Sequence, residues 1–501
     1  MERPAAGAAE PSNLERRVRR GAWWNGANTI LLRFGNFAVM AVVVHIVTPR
    51  EFGVFAVALT VHMVVLSIGD AGMASALARG PVDPARYAPT VATMCLVSAL
   101  LLGAAMALFA EPLATALGSR DAAGVMRVLA ITVVLSGVFA VPYAELQRDF
   151  RQATLFRVNL LAFLPSNAVL VAMAFAGYGA MAFAWSRVVL QLLTGVGMMV
   201  KLRHVYLPGW SRSCVRPLVA FGVPFAAANL LNYVWLNTDY AFVGHMMGPV
   251  DLGVYMLAFN AAYWPTALLG PMLNSVGMAG FSRVSDQPER QGPALAGALR
   301  AVALVAMPVS ALTLALAGPI VHVVYGAEWS AAALPLSILA CYAATFTVCL
   351  LFANFLVGLG RTRVVLGIQL VWAICLVPAM VVGVKVAGIV GVATAHVVVV
   401  VTLMMPMYLY VLARHFGTVG ARALLAPLGR PTFAAASAAG MAFAVTRAVP
   451  SPIWQLVLGL AAGGAVYVAL ARDALRAVLP LGRPAPIRLA VTPTRGRRPA
   501  A

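Results

Sequence analysis

Long apolar runs, broken by short polar segments rich in arginine, recur from one end of this chain to the other. A membrane-spanning helix needs about 20 mainly apolar residues. Fourteen runs meet that need, at about 24–47, 52–78, 88–110, 124–144, 155–176, 179–200, 217–247, 252–282, 296–317, 331–359, 364–384, 388–411, 431–449 and 452–471. The runs are continuously apolar and lack the alternation of barrel strands, so the pattern predicts helices. Pro142, Pro165, Pro224, Pro265, Pro308 and Pro378 sit inside them, as membrane helices tolerate. The expected fold is an all-α polytopic membrane protein of about fourteen transmembrane helices.

Composition agrees with the pattern. The chain has 501 residues, 62% of them hydrophobic and 10% charged, with a mean hydropathy of +0.88. Soluble domains carry about 25% charged residues. The formal net charge of +20 would suggest nucleic acid in a soluble protein, but the basic residues lie between the apolar runs, where they act as an orientation signal. With the N-terminus cytoplasmic, 29 of the 36 lysines and arginines fall on inner segments, and five (Arg50, Arg120, Arg127, Lys385, Arg447) fall on outer ones. Both termini are therefore expected in the cytoplasm. No cleavable signal peptide is expected. The cysteines (Cys95, Cys214, Cys341, Cys349, Cys375) form no CxxC pair and are expected to be buried, inert thiols.

An internal repeat lies beneath this pattern. Pro49-Arg50-Glu51-Phe52-Gly53-Val54-Phe55 matches Pro249-Val250-Asp251-Leu252-Gly253-Val254-Tyr255, and Gly72-Met73-Ala74 matches Gly277-Met278-Ala279. A weaker echo pairs Gly177-Tyr178-Gly179-Ala180 with Gly388-Ile389-Val390-Gly391. Six spans separate the copies, so both halves share one orientation. The expected organisation is a basic N-terminal segment (1–22), an N-lobe (23–200), a basic linker (201–216), a C-lobe (217–411), two further helices (412–471) and an Arg/Pro-rich tail (472–501). Parallel repeats of this kind are a transporter design that binds substrate between the lobes.

Several segments carry a family resemblance. Thr48 through Arg79 (TPREFGVFAVALTVHMVVLSIGDAGMASALAR) resembles the opening hairpin of polysaccharide exporters. Ala144-Glu145-Leu146-Gln147-Arg148-Asp149-Phe150 resembles the loop after their fourth helix. Phe221-Gly222-Val223-Pro224 and Asp239-Tyr240-Ala241-Phe242-Val243-Gly244 resemble the start and end of their seventh. The ordered set spans about residues 20–415. It is similar to the oligosaccharide flippase branch, of colanic acid exporter type, in the multidrug/oligosaccharidyl-lipid/polysaccharide exporter superfamily. This resemblance implies transfer of an undecaprenyl-diphosphate-linked oligosaccharide from the cytoplasmic to the outer leaflet, with membrane lipids, and polymerase or glycosyltransferase enzymes, as partners.

Polar residues inside the runs are the candidate contacts. At 100° per residue, Asn25, Asn28, Thr29, Arg33 and Asn36 lie within about 140° on one face of the first helix. Asn229, Asn232, Tyr233, Asn237, Asp239 and Tyr240 share a broad face of the seventh. Arg33 and Arg187 are cations within the membrane, where charge usually faces a cavity, and guanidinium grips phosphate oxygens bidentately. Asp70 and Asp239 could pair with those arginines or bind a coupling ion. His45, His62, His245 and His396 show no ligand spacing, and no P-loop or Ser/His/Asp set is present. No metal, cofactor or catalytic residue is expected, and the chain is expected to be a carrier and not an enzyme. Alternatives stay open, a lipid II flippase and a structural assembly partner without transport activity among them. A drug or cation antiporter of the same superfamily would favour an acidic lumen; a membrane glycosyltransferase or polymerase partner would favour acidic residues on a sizeable outer loop.

Overall fold

The computed structural model describes residues 35–69, 72–79, 83–149, 151–202, 206–273 and 278–478. Among them the secondary structure is helical throughout. The end of the first predicted span is helix α1, residues 35–43. There follow α2 (Pro49–Gly69), α3 (Met73–Arg79), α4 (Pro84–Leu108), α5 (Ala110–Ala116), α6 (Ala122–Arg148), α7 (Gln152–Phe175) and α8 (Ala180–Lys201). The second half contains α9 (Arg212–Leu236), α10 (Thr238–Met247), α11 (Pro249–Ala262), α12 (Trp264–Met272), α13 (Met278–Ser282), α14 (Pro288–Ile320), α15 (Ala333–Gly358), α16 (Thr362–Val399) and α17 (Met405–Phe416). Helices α18 (Thr418–Ala448) and α19 (Pro452–Val478) end the described chain.

Nine described helices are long and apolar enough to cross a membrane, judged by length and composition. Leu101, Leu108, Leu161, Phe175, Ile374 and Val386 project from them exposed. Water would penalise so many apolar side chains on the outside, whereas lipid accepts them. The chain is a multi-pass, all-α membrane protein.

Several predicted spans are interrupted. The span at 217–247 divides at Asn237, whose φ of −119° and ψ of 11° break the helix between α9 and α10. The span at 252–282 divides where Tyr263 ends α11 and Trp264-Pro265 opens α12. Proline suits the first turn of a helix but cannot donate within one. Helix α18 starts at Thr418, well before the predicted 431, and α19 continues to Val478, beyond the predicted start of the tail at 472. Conversely, α16 is two passes. Ala387 and Gly388 leave helical geometry, Gly388 at φ 58° and ψ −137°, a conformation open chiefly to glycine. The chain reverses there so tightly that a Cβ on Gly383 would overlap the backbone of Gly391. Positions 364–384 and 388–411 are thus the two separate spans that the apolar pattern predicts.

The repeated motif is where the halves meet. A Cβ on Gly53 would overlap the Pro249 carbonyl, and one on Gly253 would overlap the Pro49 carbonyl. This reciprocal contact lets α2 and α11 cross backbone to backbone, the role small residues play between membrane helices. Beside it, His245 Nδ1 lies 2.6 Å from the Ala116 carbonyl oxygen, and Trp329 Nε1 donates to the Val44 carbonyl at 3.1 Å. Elsewhere α18 and α19 pair and lie along α14, where Tyr467 Oη donates to the Leu304 carbonyl at 2.9 Å. All five cysteines are free thiols. Cys95, Cys214 and Cys349 are buried as expected, but Cys341 and Cys375 are exposed, because their helices turn that side away from the bundle.

Candidate functional site

Two cavities open side by side in the bundle. The larger, of about 860 Å³, is lined by residues of α1, α2, α7, α8, α10 and α11. Its polar wall carries Asn36, Thr60, Asn159, Asn167, Gln191, Thr194 and Arg187. Helices α7 and α8 are joined within that wall by Ser186 Oγ, which donates to the Ser166 carbonyl at 2.8 Å. The Arg187 guanidinium lies 5.6 Å from the centre of the Phe55 ring, a cation–π contact. Among the described residues no carboxylate comes within ion-pair distance of it.

The smaller cavity, of about 300 Å³, lies among α9, α10, α11, α15 and α16. It shares Met63, Asn237, Tyr240 and Asn260 with the larger one, so the two are neighbours across a common wall. Aromatic rings dominate it: Tyr342 and Phe346 are 5.3 Å apart and Phe346 and Trp372 6.1 Å apart, centre to centre. Asp239 and His396 sit in the same wall, 5% and 4% exposed. Asp239 Oδ2 accepts a hydrogen bond from the Tyr255 hydroxyl at 3.1 Å, and Oδ1 accepts one from the Tyr240 N–H at 2.9 Å. His396 Nε2 is 3.9 Å from Asp239 Oδ2. Among the described residues neither ring nitrogen of His396 has a hydrogen-bond partner.

The cavities occupy related places in the repeat. Gly179, at φ 49° and ψ −121°, opens α8 with nearly the backbone geometry of Gly388. Conformation therefore matches Gly388 with Gly179, not with Gly177 as the weaker sequence echo suggests. Counted onward from these glycines, Arg187 and His396 hold the same position. Phe55 and Tyr255 likewise correspond through the Pro49 and Pro249 turns.

Of the residues singled out in the sequence, Asn36 and Arg187 line the larger cavity, Tyr233 and Asp239 the smaller, and Asn237 and Tyr240 both. Asn229 is half-buried and lines neither. Asp239 does not pair with Arg187; Tyr255 and His396 are its neighbours. Arg33, Asn25, Asn28 and Asp70 lie outside the described residues, as does the side chain of Asn232. His396 is the residue that spacing missed, because its partner lies on another helix. Asn159, Asn167 and Asn260 were visible as polar residues in apolar runs, but nothing in one dimension brings them together. Among the described residues no group of three His, Cys, Asp or Glu side chains converges to hold a metal.

Comparison with known proteins places this architecture. The family model described as "Polysaccharide biosynthesis protein" matches residues 42–354. The succinoglycan biosynthesis transport protein ExoT of Rhizobium meliloti (strain 1021) is 26% identical over 93% of this chain and 96% of its own length. The lipopolysaccharide biosynthesis protein WzxC of Escherichia coli (strain K12) is 22% identical over 76% of this chain and 78% of its own. Among solved structures, the lipid II flippase MurJ in an inward closed conformation superposes with a TM-score of 0.70, covering 90% of this chain and 99% of MurJ at 12% identity. An inward-facing multidrug resistance MATE family transporter of the MOP superfamily gives 0.59 at 16% identity, covering 78% of this chain and 94% of its own. These likenesses establish a shared fold with transporters. The family match covers well over half of the chain, and the chain belongs to the polysaccharide biosynthesis protein family.

Proposed function

We propose that this protein flips an undecaprenyl-diphosphate-linked oligosaccharide from the cytoplasmic to the outer leaflet of the bacterial plasma membrane. The observation that carries the reading is Arg187, a guanidinium in the wall of the large cavity without a carboxylate partner among the described residues. A cation inside a membrane bundle is costly and usually marks a substrate or ion path. A diphosphate suits it, because the planar fork of a guanidinium matches phosphate oxygens. Relatives named for succinoglycan and lipopolysaccharide biosynthesis support a glycan precursor as the cargo. A drug or cation antiporter would not gain from an arginine in its larger cavity.

The substrate runs between an N-lobe (23–200) and a C-lobe (217–411), with both chain ends in the cytoplasm. Arg33, Asn25, Asn28, Asn36 and Asn232 join Arg187 as substrate contacts, Asn229 meets the substrate on its path outside the two cavities, and Asp70 serves in ion coupling or charge pairing. Glycosyltransferases supply the lipid-linked glycan and a polymerase consumes it.

The test uses a strain lacking this protein and vesicles made from it. Wild-type protein should make the lipid-linked oligosaccharide accessible to a membrane-impermeant reagent on the outer face, and Arg187→Ala should insert normally but fail to do so. Transfer by Arg187→Ala at the wild-type rate, from protein present at wild-type amounts, would sink the reading.

A further inference from the structure

The smaller cavity has the makings of a carbohydrate site. A pyranose ring presents flat patches of C–H bonds and a rim of hydroxyl groups. Aromatic rings cover the patches with large apolar area, and a few convergent polar groups fix orientation. Here Phe259, Tyr263, Tyr342, Phe346 and Trp372 supply the rings, while Asp239 and His396 supply the polar groups. A carboxylate has about four lone-pair sites, and two of those of Asp239 are taken by the Tyr240 N–H and the Tyr255 hydroxyl. Capacity is left for sugar hydroxyls, and His396, in a buried place, holds both ring nitrogens without a hydrogen-bond partner among the described residues.

Size points the same way. About 300 Å³ equals the liquid volume of about ten waters, space for roughly one or two sugar rings and too little for a long glycan. Packed interiors hold few voids larger than a water, and buried polar groups without partners are costly. A bundle built only for stability would have filled this space with apolar side chains.

We propose that the cavity between α10, α11, α15 and α16 binds the sugar next to the diphosphate, with Trp372 and Tyr342 as stacking faces and Asp239 and His396 as hydroxyl partners. The proposal rests on the flippase reading above and adds how the substrate lies. The diphosphate meets Arg187 in the larger cavity, and the first sugar reaches through the wall shared at Asn237 and Asn260.

Binding of two lipids to the purified full-length protein in nanodiscs separates the two readings. The probes are undecaprenyl diphosphate and the undecaprenyl-diphosphate-linked oligosaccharides extracted from the host. Trp372→Leu, which keeps apolar bulk but loses the ring, should weaken the glycosylated lipid about tenfold and leave undecaprenyl diphosphate within about twofold. Trp372→Phe should restore most of the loss, which a misfolded protein could not do. Asp239→Asn should weaken the glycosylated lipid alone, whereas Arg187→Ala should weaken both. Equal loss of both lipids in Trp372→Leu, or loss of neither, overturns the sugar site while leaving the flippase reading intact. So does tight binding of tetraphenylphosphonium that Trp372→Leu and Asp239→Asn abolish while the glycosylated lipid still binds, because the cavity would then be a cation site. If the wild type binds neither lipid, the flippase reading itself fails.

Discussion

Phe55 with Arg187 in the first half and Tyr255 with His396 in the second occupy corresponding positions in one repeated plan, yet the chemistry differs. In the first half the ring faces a guanidinium at 5.6 Å. In the second, the Tyr255 hydroxyl donates to Asp239, and His396 lies 5.0 Å from the Tyr342 ring, centre to centre. Position 39, the counterpart of Asp239, is Val39. One fold thus builds a roomy cavity with a fixed positive charge and, beside it, a small aromatic cavity with a carboxylate and an imidazole. The backbone plan is shared, and specificity is written in a few substitutions on it. On the reading proposed above, the two unlike surfaces meet the anionic joint and the carbohydrate head of one lipid.

The largest effect should come from breaking what the halves share. Gly53→Val or Gly253→Val would force a side chain into the opposing proline carbonyl. Overpacking of this kind costs up to about 3 kcal/mol or more, since backbone cannot move aside as a side-chain tip can. Either variant should greatly reduce the monodisperse protein recovered from membranes, measured by size exclusion of a fluorescent fusion. The two should fail alike, because the contact is reciprocal. Failure of one alone would mean that the crossing is not symmetric.

Next comes the charge in the larger cavity. Arg187→Ala removes charge-assisted hydrogen bonds of about 1.5–3 kcal/mol. Capture of the lipid diphosphate should fall roughly ten- to a hundredfold, read as the concentration dependence of binding, with normal insertion. Arg187→Lys should recover part of that loss, because an ammonium keeps the charge but lacks the fork. Full recovery would show that charge alone is used there.

A smaller effect should follow from making the second half resemble the first. His396→Arg places a cation beside Asp239, where Nε2 already lies 3.9 Å from the carboxylate. The longer side chain would pair with Asp239 and occupy part of the aromatic cavity. Transport should drop about three- to tenfold, a change of about 0.7–1.4 kcal/mol, while undecaprenyl diphosphate binding holds. Unchanged transport of the glycan would mean that the cavity is not entered during the cycle.

Much of this fold was legible in one dimension, and the reasons are physical. A bilayer demands continuous apolar helices, so every described span coincides with an apolar run, and the hairpin at Ala387–Gly388 was visible as two runs. The Pro49 and Pro249 motifs were legible as a repeat, but the backbone contact that their glycines allow between α2 and α11 was not. The breaks at Asn237 and Tyr263 were not legible, since the polar residues around Asn237 also fit one face of an unbroken helix and Pro265 is tolerated inside membrane spans. The site was half legible. Arg187 stood out because a cation in an apolar run is rare. His396 did not, because a lone histidine gains meaning only from Asp239, which is distant in sequence.

The smallest effect, and the finest test of the comparison, lies at the paired ring positions. Tyr255→Phe gives the second half the residue that the first half already has. It deletes the hydroxyl that donates to Asp239 Oδ2 at 3.1 Å and leaves Asp239 with the Tyr240 N–H at 2.9 Å. A hydrogen bond to a charged group contributes about 1.5–3 kcal/mol, and a neutral one about 1 kcal/mol. Tyr255→Phe should therefore lower the midpoint of thermal unfolding of the purified protein without changing the size of the cavity. Phe55→Tyr, the reverse change in the first half, should shift the midpoint little, because the ring face towards Arg187 is kept and Val39 offers no acceptor. Equal small shifts in both variants would mean that the Tyr255 hydroxyl is replaceable by water, and that the carboxylate of Asp239 is more open to solvent than its 5% exposure conveys. A large drop in Tyr255→Phe alone would tie the difference between the two halves to one oxygen atom.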